Sequence, residues 1–341
     1  MELHINQGLD RQSWDYFVLQ HPQGNLLQSW SWGEFQESFG YKTWRLAVTD
    51  SGHTLSQLLV IKIPLRLGLH IFYAPRAILI NKTQPAGHQH EAMKLILDYL
   101  KKIAPQEKAI LLRTDPPLAP SDTAAISIYK SLGFVVSPKS TQPKTNLWLD
   151  IQPKEPNILL QMKPKTRYNI RLAEKHGIRV VATQNPKDIA IFHRLMHTTA
   201  ARDNFRPHPD NYYAQQLAIL GQRNLISLFI AYDAEQPLAT ALVSFFGQTA
   251  TYLHGASSDQ HRDKQPVYAL HWQIIQAAKQ HDCATYDLGG INLTGSHAWA
   301  GITRFKLGFG GNIVDYVGNL ELPLHPSWFR LYQLLVNKKH A

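Results

Sequence analysis

The sequence has few of the residues that crosslink chains or bind metal ions. Its 341 residues include one cysteine, Cys283, which excludes a disulfide framework and a cysteine metal cluster. This cysteine usage suits the reducing cytoplasm, where we expect the protein to reside. The sequence contains no His-Glu-x-x-His motif, no metal-spaced histidine cluster and no Gly-x-Ser-x-Gly motif. We therefore expect no bound metal.

Long apolar runs are also missing. No stretch approaches the roughly 18 apolar residues of a membrane span. The N-terminal MELHINQGLD has neither the basic nor the apolar region of a signal peptide. Hydrophobic residues make up 44% of the chain and charged residues 18%, which excludes global disorder. A chain of this length predicts two domains.

Acidic residues are the minority among the charges. There are 25 Asp and Glu against 35 Lys and Arg, for a formal charge of +10. A basic balance favours an anionic partner, such as a nucleic acid, a phosphorylated substrate or a membrane face. Many soluble proteins carry this charge without a polyanionic partner, so the net charge does not show whether this protein has one, and the motifs have to be considered.

One order of predicted elements occurs twice. Each half follows helix–helix–strand–strand–strand–helix–strand, from SWDYFVLQ to AILLRTD and from KDIAIFHRLMHTTAARD to CATYDLGG. This repetition indicates an internal duplication. Mostly antiparallel strands with a helical crossover favour a mixed α/β (α+β) fold over a doubly wound nucleotide-binding fold. Prolines at 153 and 156 mark the boundary, which predicts a first domain of 1–150 with 322–341 and a second of 151–321.

A basic helix is predicted after the boundary, in LLQMKPKTRYNIRLAEKHGI. Pro164 is suited to its first turn and Gly177 to the position after its end. Four cations recur every four residues and form one stripe on a helix: Lys163, Arg167, Arg171 and Lys175. The stripe is either a solvated face or a phosphate-binding face for RNA or a nucleotide-linked substrate.

Six stretches then occur in a recognisable order. They are LLQSWSWGEFQESFGYK, MKPKTRYNIRLAEKHGI, TAARDNF, YLHGAS, YDLGGI and GITRFKLGFGG. Together they resemble the FemABX family of non-ribosomal peptidyltransferases over nearly the whole chain. The resemblance implies two tandem domains of the Gcn5-related acetyltransferase (GNAT) fold. Only about ten residues separate TAARD from NYYAQQL, so the chain resembles the shorter members, which lack a helical arm.

The resemblance also implies a reaction. An amino acid passes from aminoacyl-tRNA to the stem-peptide amine of a peptidoglycan precursor, which is UDP-MurNAc-pentapeptide or its lipid-linked form. Both substrates are polyanions, in keeping with the net charge. Aminoacyl-tRNA serves as co-substrate, and we expect no other cofactor. We expect a monomer, with peripheral contact to the inner membrane face if the acceptor is lipid-linked.

In the second domain, the resemblance implies five site residues. Lys306 corresponds to a lysine linked to acceptor phosphate binding and to charge developed during transfer, and Phe305 fixes its position. We interpret GITRFKLGFGG around them as a glycine-spaced strand lining a cleft. Arg202 corresponds to an arginine that contacts the precursor, or it pairs with Asp203. Tyr252 and His254 lie two residues apart, so we expect them to share one strand face.

In the first domain, Asp115 is the candidate general base. Its alternative is a structural turn closed by Pro116 with Arg113 nearby. Arg76 and Gln36 are weaker candidates for binding the acceptor. The family often has a lysine near Gln36, and Lys42 would have to compensate for it here.

Further candidate features have structural alternatives. Asp287, Gly289 and Gly290 end a strand, where the glycines either line the cleft or form a plain tight turn. We interpret Trp30 and Trp32 as packing residues.

Three other functions remain open. The first is a CoA-dependent N-acyltransferase, which needs a glycine-rich turn before a helix to hold a pyrophosphate. The corresponding RDKQPVYALHW has no glycine, and Pro266 removes an N–H. The second is a non-catalytic RNA- or nucleotide-binding module. The third is a transferase that modifies protein N-termini or lipids.

Overall fold

The computed structural model describes residues 1–138, 140–294 and 299–337. The chain divides into two compact units, Met1–Lys144 with Asp315–Ala341 and Thr145–Val314. Each unit is built on one sheet with helices packed against it.

The elements follow the chain in three groups. Those before residue 144 are β1 (Glu2–Ile5), α1 (Arg11–Gln20), α2 (Trp30–Glu37), β2 (Thr43–Asp50), β3 (His53–Pro64), β4 (His70–Ala74), β5 (Leu79–Ile80), α3 (Ala86–Ile103), β6 (Ala109–Thr114), α4 (Thr123–Ser131) and β7 (Val135–Val136). The next group is β8 (Thr145–Asp150), α5 (Glu155–Gln161), α6 (Pro164–Lys175), β9 (Arg179–Thr183), α7 (Ile189–Asp203), α8 (Asp210–Gly221), β10 (Ile226–Asp233), β11 (Gln236–Phe246), β12 (Thr249–Ser257), α9 (Pro266–Gln280), β13 (Thr285–Gly290), α10 (Ala300–Lys306) and β14 (Asn312–Asp315). The chain returns to the first unit with β15 (Leu320–Pro323) and α11 (Pro326–Asn337).

The two sheets have the same strand pattern. The first runs β1-β2-β3-β4-β6-β15-β7, with β5 beside β3, and the second runs β9-β10-β11-β12-β13-β8-β14. In each, the strand before the crossover helix pairs in parallel with the strand after it, β4 with β6 and β12 with β13. The neighbouring pairs β2–β3 and β10–β11 are antiparallel. This confirms the predicted tandem α/β (α+β) fold.

Each sheet has one strand that lies outside the repeated unit in sequence. β15, which follows the second unit, pairs with β6 in the first sheet. β8, which the predicted limits of 150 and 321 leave in the first domain, pairs with β13 in the second sheet. Strand pairing therefore divides the chain at 144/145 and 314/315.

Each crossover helix covers one sheet face and forms the core. In the first unit, buried residues of α3 pack on β2, β3, β4 and β6: Met93, Ile96, Leu97 and Leu100. In the second, buried residues of α9 pack on β10, β11 and β13: Leu270, Ile274, Ile275 and Ala278. The apolar spacing of both helices in the sequence predicts these faces.

The segment 301–311 is helical where we predicted a strand. α10 ends at Lys306, and a 3₁₀ turn continues over Leu307–Phe309. Phe305 and Phe309 lie four residues apart and contact each other with ring centroids at 5.3 Å, which is a helical spacing. The four glycines made this helical periodicity hard to recognise in the sequence. The φ angles of +81° and +87° at Gly310 and Gly311 show that the backbone favours glycine after the helix and not within it.

Candidate functional site

Lys306 is buried in the second unit. Its side chain is 7% exposed, and its Nζ donates a hydrogen bond to the carbonyl oxygen of Gly290 at 2.8 Å. The last turn of α10 positions the lysine, and the end of β13 supplies the acceptor. A specific backbone contact thus holds Lys306 in place, and its part in binding or transfer stays a prediction.

The environment of Lys306 shifts its protonation. Burial lowers the pKa of Lys306 to about 8, because the charged form loses hydration, while the carboxylate of Asp287 opposes this shift. The ammonium therefore remains the main form at neutral pH. A cation shielded from water interacts more strongly with nearby charge than one at the surface.

Aromatic rings surround the lysine. Nζ lies 5.8 Å from the ring centroid of Tyr252, within the range of a cation–π contact. Phe305 packs at 5.0 Å from Tyr268 and 5.3 Å from His271. Phe305 thus holds the end of α10 against α9.

Two buried polar residues of this wall were not predicted from the sequence. His271 hydrogen-bonds through Nδ1 to the hydroxyl of Tyr286 at 2.8 Å. Burial, aided by the positive charge of Lys306, lowers the pKa of His271 to about 3, so the ring is neutral. The signal was present, because His271 lies four residues after Val267 on the apolar face of α9.

Asp287 organises the end of β13. Its carboxylate accepts hydrogen bonds from Nδ2 of Asn146 at 3.0 and 3.2 Å and from the N–H of Gly289 at 2.7 Å. A Cβ at residue 289 would lie 3.7 Å from the Lys306 Nζ, and φ is +77° there. Gly289 therefore forms a tight turn close to the lysine, and the interpretation that these glycines line a cleft stays a prediction.

A β-bulge separates Tyr252 from His254. Val243 of β11 is opposite Tyr252, whereas Leu242 is opposite His254, so Leu253 is the extra residue. Tyr252 consequently packs on His271 of α9, and His254 packs on Tyr213 of α8. The expectation that the two residues share one strand face is wrong, because the bulge breaks the alternation of two.

The bulge also places Gly255 beneath Tyr252. A Cβ built on Gly255 would lie 1.8 Å from the Tyr252 hydroxyl oxygen, so a larger residue would displace the ring. Burial raises the pKa of Tyr252 to about 12, which keeps the hydroxyl protonated. Gly255 is a further position missed in the sequence, where it had no distinguishing spacing.

Arg202 is held by carboxylates. Its guanidinium pairs with Asp203 and with Asp259, both at 2.8 Å, and donates to the carbonyl of Ser257 at 3.1 Å. The pairing with Asp203 is the structural alternative stated above. Arg202 lies in the last turn of α7, whose residue Phe192 packs on Tyr213 of α8, on the opposite sheet face from α9.

The basic stripe is predicted well. α6 begins at Pro164, Gly177 follows its cap with φ +72°, and Lys163 is the N-cap residue. Lys163, Arg171 and Lys175 are exposed, and Arg167 is half-buried with a hydrogen bond to the Met162 carbonyl. The N–H of Lys163 donates to the carbonyl of Gly308 at 2.9 Å. Because Gly308 follows Lys306 by two residues in the sequence, this hydrogen bond joins the start of the stripe to the segment that contains Lys306.

A separate buried acid lies in the first unit. Asp115 is 2% exposed and follows β6. Its Oδ1 accepts a hydrogen bond from the Tyr73 hydroxyl at 3.0 Å, and its Oδ2 lies 3.5 Å from Nε of Arg76. Burial raises the pKa of Asp115 to about 6, against the lowering effect of Arg76.

Arg76 is therefore the ion-pair partner of Asp115. Its guanidinium lies 4.4 Å from the ring centroid of Tyr316 and donates to the carbonyl of Pro143. Arg113, the partner proposed for the structural turn, instead pairs with Glu321 across the β6–β15 ladder.

The other first-unit candidates have different surroundings. Gln36 is buried in α2, and Lys42 pairs with Glu107 and lies 4.9 Å from the Trp44 ring. Lys42 is thus engaged elsewhere and does not replace the missing lysine. Trp32 is buried, and Trp30 is covered by Arg45 at 4.2 Å, as packing residues would be.

Two kinds of feature are absent from the described part of the chain. Among residues 1–138, 140–294 and 299–337, no group of three or more His, Cys, Asp and Glu side chains is placed to hold a metal ion. Within the same ranges, none of the helices combines the length and the apolarity needed to cross a bilayer.

Known proteins resemble this chain over its whole length. The model of the FemAB family matches residues 9–232 and 222–337. A lipid II:glycine glycyltransferase of Staphylococcus aureus (strain USA300) is 25% identical over 418 aligned positions, which cover 99% of this chain and 96% of that protein.

Solved structures agree on the fold. The crystal structure of FemX superposes with a TM-score of 0.87 at 22% identity and covers 98% of this chain and 100% of its own. A tandem GNAT protein from the clavulanic acid biosynthesis pathway gives a TM-score of 0.57 at 12% identity, covering 95% of this chain and 99% of its own. Both likenesses support a pair of GNAT-like units.

Proposed function

This chain belongs to the FemAB family of transferases, and we propose that it moves an amino acid from aminoacyl-tRNA to the stem-peptide amine of a peptidoglycan precursor. The acceptor is a UDP-MurNAc-pentapeptide or its lipid-linked form. The product would be a precursor whose stem peptide bears a residue of a cross-bridge or branch.

One observation carries the proposal. The match to the lipid II:glycine glycyltransferase covers 99% of this chain and 96% of that protein, so the likeness includes both units of this chain. The name of that relative makes the lipid-linked acceptor and glycine the first pair to test.

The chemistry of Lys306 suits this transfer. The acceptor amine attacks the ester carbonyl of the aminoacyl-tRNA, a tetrahedral oxyanion forms, and the bond to the ribose oxygen breaks. A buried ammonium held by Gly290 is a preorganised positive charge for that oxyanion or for an acceptor phosphate. The aromatic wall of Tyr252 and Phe305 keeps water from competing for it.

We assign the polyanions to two surfaces of the second unit. The stripe of Lys163, Arg167, Arg171 and Lys175 would bind the tRNA backbone, since exposed cations at this spacing match a phosphate chain. For Arg202, a precursor phosphate would replace Asp259 on the guanidinium. His254 is half-buried beside Tyr213 and would contribute only as a neutral hydrogen-bonding ring.

Asp115 is proposed as the general base. With a pKa of about 6, a large part of the carboxyl is ionised at neutral pH and can accept the proton lost by the attacking ammonium. Tyr73 and Arg76 would orient it, and Gln36 stays a weaker candidate for binding the acceptor.

The CoA-dependent N-acyltransferase is the main alternative. Its pyrophosphate would bind at the start of the crossover helix, but α9 begins with Pro266, which has no N–H to donate. Acetyl-CoA should therefore leave the melting temperature unchanged, and a clear rise would favour this alternative.

The decisive experiment is a transfer assay read by mass spectrometry. The protein is incubated with lipid II in detergent or with UDP-MurNAc-pentapeptide, each with a panel of aminoacyl-tRNAs. We expect one added amino-acid residue on one acceptor. If no combination adds mass while the protein still retains tRNA on a filter, the non-catalytic RNA-binding module becomes the better interpretation.

A further inference from the structure

Helix α11 in the first unit leaves an apolar stripe uncovered. Leu331, Leu334 and Leu335 lie at the spacing of one helix face and are 44%, 62% and 59% exposed. The opposite face is anchored, since Phe329 is buried against Ile71, Ile110 and Leu111. The helix therefore cannot bury the exposed leucines by rotating about its axis, because its other face already packs in the core.

Polar contacts also fix the orientation of α11. The Tyr332 hydroxyl accepts a hydrogen bond from Nη2 of Arg113 at 2.6 Å, and the same guanidinium pairs with Glu321 of β15. The helix thus has a fixed inner face, and its leucines have a fixed outward direction.

The hairpin between β3 and β4 adjoins the same cluster. Leu65 and Leu69 pack on it from the two sides of the turn, and the N–H of Leu65 donates to the carbonyl of Leu69 at 2.8 Å. Leu67 at the tip is 83% exposed, with a φ of +60°. We call Leu67, Leu331, Leu334 and Leu335 the leucine patch.

The exposed charges beside the leucine patch are basic. Two carboxylates lie near it, but Glu107 is paired with Lys42 and Lys62, and Glu321 is paired with Arg113. Arg66, Lys108 and Arg330 are exposed, and the carbonyl of Lys108 accepts from the N–H of His70 at the base of the hairpin. Residues 62–70 and 326–337 contain no Asp or Glu. A protein partner would need an acidic apolar surface here, whereas an anionic bilayer offers both features at once.

We propose that the leucine patch and its flanking cations dock the protein on an anionic lipid bilayer. The leucines would enter the headgroup boundary, and the cations would bind lipid phosphates. This inference deepens the proposed function, because a lipid-linked acceptor lies at such a surface. The purpose of the docking rests on the proposed function, whereas bilayer binding itself can be measured without a transfer assay.

The test is sedimentation of the full-length protein with sucrose-loaded vesicles. We expect binding to vesicles of phosphatidylglycerol and phosphatidylcholine, with little binding to phosphatidylcholine alone. The double variant Leu334→Glu with Leu335→Glu should lower the partition coefficient at least tenfold, and Leu67→Glu severalfold. Circular dichroism melting checks that each variant is folded.

The matched control is Leu19→Glu, which changes an exposed leucine on α1 outside the leucine patch. It should sediment like the wild type. The proposal is overturned if the wild type stays in the supernatant, if the folded double variant binds normally, or if the control loses as much binding.

A second readout separates this proposal from the proposed function. The double variant should keep wild-type transfer to the water-soluble UDP-linked acceptor and lose transfer to lipid II embedded in vesicles. If the wild type binds vesicles but transfers to neither acceptor, the proposed function fails while the docking surface stands.

Discussion

The two units bury opposite ionisable groups at corresponding places, next to their parallel strand pair. In the first, Asp115 follows β6 and lies beside Tyr73 of β4 and Arg76. In the second, Lys306 lies against the end of β13, beside Tyr252 of β12 and with Asp287 nearby. One fold thus holds an acid with a raised pKa and a base with a lowered pKa.

The difference shows that one fold, used twice in a chain, can bury ionisable groups of opposite charge. Burial disfavours the charged form of both groups, so the pKa values move toward each other, to about 6 and about 8. Such values suit a proton acceptor and a proton-bearing cation at neutral pH. The duplication keeps the scaffold, and single residues set the sign of the charge.

Replacing the cation of the second unit should have the largest effect. We expect Lys306→Ala to lower kcat/KM for transfer by about 100- to 1,000-fold, because a preorganised charge near the developing oxyanion is lost. Lys306→Arg should recover part of the rate. Initial rates with radiolabelled aminoacyl-tRNA measure both variants, and a Lys306→Ala rate within twofold of wild type would remove Lys306 from the site.

The pH profile should distinguish the two groups. Asp115 gains its base form as pH rises through about 6, and Lys306 loses its charge as pH rises through about 8. We expect kcat/KM to be bell-shaped between these values and to fall about tenfold per pH unit beyond each.

The variant Asp115→Asn tests the acid limb of that profile. It should lower the rate about 100-fold and remove the dependence near pH 6 while keeping the limb near pH 8. If the folded variant keeps full activity and the same acid limb, Asp115 is a structural residue of the first unit.

Gly255 offers a smaller test of the second unit alone. We expect Gly255→Ala to lower kcat about tenfold, because its Cβ would displace the Tyr252 ring beside Lys306. Gly87→Ala on α3, where a Cβ meets open space, is the control and should not change kcat. Equal losses in the two variants would show a general effect of the substitution.

The smallest effect is expected at the basic stripe. Lys175→Ala should weaken tRNA binding about two- to threefold and reduce the slope of log Kd against log salt by about one. Lys130→Ala, an exposed lysine on α4, should leave the slope unchanged. Filter binding at several salt concentrations measures both, and an unchanged slope for Lys175→Ala would favour a merely solvated face.

Local patterns predicted most of the repeated elements and the basic helix. The apolar spacing of α3 and α9 and the Pro164 and Gly177 signals depend on nearby residues, so a single sequence contains them. Lys306 was singled out in the sequence, but its burial was not predicted and its segment was assigned to the wrong element.

The features that escaped prediction depend on distant residues. The bulge at Leu253 is defined by its register against β11, and it moves Tyr252 and His254 to different faces. The pairing of Asp115 with Arg76 rather than Arg113 follows from the turn after β4. Neither the cross-strand register nor this turn has a signal in the local sequence.

β15 follows the second unit in sequence but belongs to the first sheet, and this has a consequence for synthesis on the ribosome. The first sheet lacks its β15 strand until residues 320–323 have been translated, whereas every strand of the second sheet precedes them. The usual order, in which the N-terminal domain folds first, is therefore reversed for sheet completion. A nascent chain stalled after β14 would expose the edge of β6 to other chains, so we expect premature termination there to yield aggregates and not a working half.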